Sequence, residues 1–103
     1  MIRDSDPAGA IVSPEAHALI LRKVAFAAVH DARAAWRTAR DTPLEAQVRA
    51  AFRACVFASR ALLRASEVLP DDEDALIEQS FLLNEVARTQ LRTLLTKWPD
   101  AEG

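Results

Sequence analysis

Arg40-Asp41-Thr42-Pro43-Leu44-Glu45 is the stretch on which the fold turns. No helix runs through it undisturbed, because Pro43 lacks a backbone N–H and its ring pushes Thr42 out of the helical region. Thr42 and Glu45 have the Thr-x-x-Glu spacing of a capping box, so a helix is expected to start here. On each side an apolar stripe repeats at alternating three- and four-residue steps. Before the turn it is Ala18, Leu21, Ala25, Ala28, Ala32, Ala35 and Ala39. After it come Leu44, Val48, Ala51, Cys55, Ala58, Leu62, Ala65 and Leu69. This spacing keeps one seam facing a partner helix. So short a turn allows only antiparallel neighbours. Leu21 is then expected to face Leu62, Ala25 to face Ala58, Ala28 Cys55, Ala32 Ala51, and Ala35 Val48. The middle layers are all small, which lets two helices approach to the short end of the ~8–10 Å range.

The remaining prolines extend the pattern outward. Ser13-Pro14-Glu15 reads as a helix start, with a hydroxyl cap and proline at the first helical position. Pro70 precedes Asp71-Asp72-Glu73-Asp74, whose carboxylates are expected to cap a third helix and face the positive end of its dipole. Pro99 ends that helix. Its apolar positions are Leu76, Leu83, Ala87, Leu91, Leu94 and Trp98, with Ile77 and Leu95 beside them. The expected helices span 14–40, 43–69 and 72–98. They make an all-α, up-down-up antiparallel three-helix bundle of long helices over residues 13–99, or an equivalent that shares the third helix between subunits. Residues 1–12 are expected to be a flexible segment and 100–103 a tail.

Composition narrows the function. The 103 residues amount to one domain, and with half of them apolar and 27% charged the chain has the mix of a globular protein. Its only glycines, Gly9 and Gly103, leave no Gly-rich phosphate loop, and one cysteine leaves no disulfide scaffold or CxxC zinc site. No apolar run reaches the ~18 residues of a membrane span, and no signal-peptide pattern opens the chain, so no membrane partner is expected. Cys55 in the seam reads as a small apolar filler, and a lone buried thiol fits a reducing cytoplasm.

Charge is segregated. Residues 22–64 hold nine basic side chains against Asp31, Asp41 and Glu45; residues 65–103 hold nine acidic ones against Arg88, Arg92 and Lys97. The simplest expectation is that the two halves attract each other inside one fold; a charged partner is the alternative.

Several apolar side chains exceed what one bundle needs. On a helical wheel Leu19 and Phe26 fall among Arg22, Lys23, His30 and Arg33. Phe57 lands at the edge of an arginine stripe, and Leu82 and Val86 lie away from Leu83 and Ala87. Counted along the bundle, Phe26, Phe57 and Leu82 share one height, as a belt covered by a partner would. Contiguous apolar surface of this kind marks interaction sites. A second copy is the simplest partner, and another protein's helix is the next.

Catalytic chemistry is sparse. His17 and His30 lack ligand spacing, no Glu-x-x-His pair occurs, and no metal or cofactor is expected. His30-Asp31-Ala32-Arg33 resembles the start of the phosphoacceptor box of sensor histidine kinases, which implies His30 as a phosphoacceptor. Ala32, Ala35 and Trp36 stand where that family has Leu, Pro and Leu. Arg49, Arg53, Arg60 and Arg64 share one helix face beside Phe57, a pattern that can grip phosphates while the ring stacks on a base. The expectation is a non-catalytic protein–protein interaction module that self-associates: an adaptor, chaperone-like or inhibitory subunit. A nucleic-acid-associated regulator using the arginine stripe and a phosphotransfer module using His30 are the alternatives.

Overall fold

A computed structural model describes residues 13–99, and the expectations for 1–12 and 100–103 lie outside them. Ser13 opens the first helix: its Oγ accepts from the Ala16 N–H at 3.0 Å, with Pro14 at the first helical position. Helix α1 runs Pro14–Asp41. Helix α2 runs Glu45–Ser66, a 3-10 turn covers Pro70–Asp72, and α3 runs Glu73–Lys97. The described residues contain no strand, and the three helices form an all-α bundle.

The turn differs from its expected form. Thr42 closes α1, and its N–H donates to the Thr38 carbonyl at 2.8 Å. That donor is therefore not free for a capping box, and Glu45 binds Arg49 instead, at 2.9 Å. Leu44 takes the N-cap position with no side-chain hydrogen bond, so α2 begins at 45 and not at 43. At its far end α2 stops at Ser66 and not at Leu69. There the Glu67 and Val68 N–H groups bond three residues back, to Arg64 and Ala65, which tightens the last turn. Leu69 then precedes Pro70 and leaves the helical region. The acidic run also makes no side-chain cap. Asp72 stands at the N-cap without a side-chain hydrogen bond, and Glu73 and Asp74 act only as charges in the first turn.

Helix α2 is the centre of the bundle. It packs along both α1 and α3, whereas α1 and α3 come close to each other hardly at all. The larger core cluster joins Ala25, Ala28, Val29 and Ala32 of α1 to Cys55, Ala58 and Leu62 of α2 and to Leu76, Leu83 and Ala87 of α3. Leu21 packs against it. The smaller cluster groups Ala39, Val48, Ala51 and Leu94, with Ala35 and Trp98 against them. Four of the five pairs expected to face each other share a cluster, and Ala32 and Ala51 do not. One polar contact crosses the α2–α3 seam: the Ser59 Oγ donates to the Ser80 carbonyl at 3.1 Å. Ser80 is itself fully buried and returns its own hydroxyl to the Ile77 carbonyl.

Ala25 and Ala58 are both inaccessible to solvent. Ala25→Leu should therefore overpack the α1–α2 seam, cost about 1–3 kcal/mol and lower the Tm by several degrees. A thermal melt followed by circular dichroism checks this, and an unchanged melt would mean that the seam is loose.

Candidate functional site

Most buried apolar side chains are alanines, and the largest fully buried ones are only Leu62, Leu94 and Cys55. Helices drawn together by alanine leave no room for a ring between them. The aromatic side chains are displaced outward accordingly. Phe26, Phe57 and Phe81 are 46%, 61% and 63% exposed, Trp36 is exposed, and Phe52 and Trp98 are only partly buried. No aromatic side chain among the described residues is fully buried.

The exposed apolar side chains border separate clefts. Phe57 lines a groove of about 460 Å³ with Leu21 and Val24 of α1 and Leu63 of α2, and Arg60 and Arg64 line it too. Leu19 lines another, about 410 Å³, with Ala18, Val68 and Leu69 near the start of α1. Phe26 lines a third, about 330 Å³, between α1 and α3, where Val29, His30, Arg33 and Arg37 meet Gln79. Phe26 and Phe57 thus face separate clefts. Leu82 is 62% exposed. Val86 departs furthest from its expected place, because it packs partly buried against the larger core cluster. It lies two turns from Gln79, on the edge of α3 that turns toward α1, and the core extends along that edge.

Phe81 was not among the expected contact residues, yet it is as exposed as any large apolar side chain described. The signal lay in its spacing: Glu78, Phe81 and Glu85 follow at three- and four-residue steps and share one outward face.

Three ion pairs lie within single helices: Arg40–Asp41 in α1, Glu45–Arg49 in α2, and Glu85–Arg88 in α3. These pairs each reach across no more than about one turn of their own helix. Of the α2 stripe, Arg49 is held by Glu45, while Arg53, Arg60 and Arg64 have no acidic partner among the described residues. A second stripe runs along α1, extending the basic surroundings of Phe26 noted in the sequence: Arg22, Phe26, His30, Arg33, Arg37 and Arg40, at steps of four, four, three, four and three. Arg22 lies over the Phe26 ring at 5.2 Å and Arg40 over the Trp36 ring at 5.6 Å. Contacts of this type at exposed sites contribute about 0.5–1 kcal/mol and hold the rings in place. His30 is exposed on this stripe.

Among the described residues no three His, Cys, Asp or Glu side chains come together as a metal site, and no helix is long and apolar enough to cross a membrane. Set against known proteins, the chain matches no family model, no curated protein and no solved structure.

Cys55 is fully buried, and burial pushes its thiol pKa up from the ordinary value by disfavouring the thiolate. Below the ordinary thiol pKa both folded and unfolded chains carry a neutral thiol, and Cys55 has no effect on pH dependence. Above it the unfolded chain ionises first, so Cys55 makes stability decline as pH rises. Urea unfolding of the native protein and of Cys55→Ala at neutral and alkaline pH should show a smaller alkaline loss in the variant. A thiol reagent should react slowly with the folded protein at neutral pH and rapidly once it is unfolded.

Proposed function

We propose that this chain is a non-catalytic protein-interaction module whose first partner is a second copy of itself. The observation that supports this most is the inversion of side-chain size, with alanine inside and phenylalanine outside. Phe57, Phe81 and Leu82 together offer a partner large apolar groups that their own bundle does not cover.

Charge argues for self-association over a neutral partner. The groove of Leu21, Val24 and Phe57 is lined by Arg60 and Arg64 too, and the outward face of α3 carries Phe81 between Glu78 and Glu85. The Ser59–Ser80 contact puts Phe81 level with Arg60. A two-fold axis at that height seats Phe81 of each copy in the groove of the other, with carboxylates toward guanidiniums. Burying a phenylalanine fully stabilises by about 1.5–3 kcal/mol, and the two-fold arrangement counts each ring twice. Set against the cost of association, this corresponds to a reversible, micromolar dimer.

Sedimentation velocity over a concentration series tests the reading. The expected result is a monomer–dimer equilibrium that weakens as salt screens the charges. Phe57→Glu and Phe81→Glu should each shift it to monomer with helix content unchanged, since both side chains are exposed. A monomer at millimolar concentration in the unsubstituted protein would overturn it.

A further inference from the structure

The cleft between α1 and α3 has a composition that dimerisation through Phe57 and Phe81 does not use. On its α1 side Arg33 and Arg37 stand four residues apart beside His30, so the two guanidinium charges crowd one face of one helix. Like charges at that spacing destabilise a helix unless something compensates them. No carboxylate pairs with Arg33 or Arg37 among the described residues. The α3 side supplies none either. Although α3 is rich in Asp and Glu, the side chain it puts into the cleft is the amide of Gln79. Gln79 is half-buried and offers both a donor and an acceptor. Phe26 and the buried Val29 form the apolar part of the wall.

The geometry points to this cleft as a binding site for a small phosphate-bearing molecule of nucleotide type. Guanidinium forks hold a phosphate through paired, charge-assisted hydrogen bonds, and two of them one turn apart suit a single phosphate group or two linked ones. Phe26 and Val29 give an adjoining flat or apolar group a surface to lie on, and Gln79 gives it a polar partner. At about 330 Å³ the cleft lies at the small end of ligand sites, which favours a mononucleotide over a larger ligand. A long nucleic acid would draw equally on the α2 stripe, whose Arg60 and Arg64 border a different groove.

Isothermal titration at low salt with adenosine monophosphate, pyrophosphate and inorganic phosphate tests the site, with adenosine as the uncharged control. Saturable one-to-one binding of adenosine monophosphate is expected, stronger than that of phosphate. It should weaken at least about tenfold in Arg33→Gln/Arg37→Gln, the equivalent of one charge-assisted contact. It should survive in Arg60→Gln/Arg64→Gln, and circular dichroism should show all three proteins equally helical. Running the series on Phe57→Glu separates the site from self-association, because a monomer that still binds keeps the cleft intact. Absence of binding at millimolar nucleotide would overturn the assignment. So would equal losses in both arginine pairs, or tight binding of single-stranded oligonucleotide without any response to the mononucleotide.

Discussion

The close approach of α1 to α2 is the constraint on which the rest of this structure depends. Ala25, Ala28 and Ala32 on one helix and Ala51, Cys55 and Ala58 on the other are small enough for two backbones to run side by side. Such a seam buries little apolar area per residue, so stability has to come from the length of the helices and from a second seam. Helix α2 supplies the second seam with Leu62 and Ser59, against Leu76, Ser80 and Leu83 of α3. It therefore becomes the central helix, with α1 and α3 on either side. Because α1 and α3 hardly approach each other, a cleft stays open between them.

That arrangement explains where the large side chains went. A phenylalanine in the α1–α2 seam would force the helices apart and forfeit the contacts of every alanine along it. Rings are tolerated at the margins, and there they are found, two of the exposed ones held under arginine. Surface aromatics are thus a consequence of the core's design, and their availability to a partner follows from packing.

Segregated charge acts at the same level. Within each helix short-range pairs such as Glu45–Arg49 form readily, because the two side chains need only reach across one turn. Pairs between helices would require the carboxylates of α3 to point at α1 or α2. Instead α3 turns Leu76, Ser80, Leu83 and Ala87 inward, and its acids look outward. Arg33, Arg37, Arg60 and Arg64 on the basic helices and Glu78 and Glu85 on the acidic one accordingly lie exposed.

The local features of the fold were legible in the residues themselves. Ser13 and Pro14 start a helix, Pro43 and Pro70 interrupt one, and the alternating spacing of small residues sets which face of α1 meets which face of α2. Each of these acts through neighbours in sequence, so the chain alone determined three helices joined by short turns. What it did not determine were matters of competition and of angle. Thr42 could have capped α2 or closed α1, and the Thr38 carbonyl took its N–H. Val86 reads as surface on a wheel, which assigns one direction per residue, but it packs against a core whose edge is set by α1. Phe26 and Phe57 line different clefts, because the side of α2 that each neighbour occupies decides which grooves exist. Only tertiary structure settles such questions, since the position of a third helix around the other two depends on contacts between residues far apart in the chain.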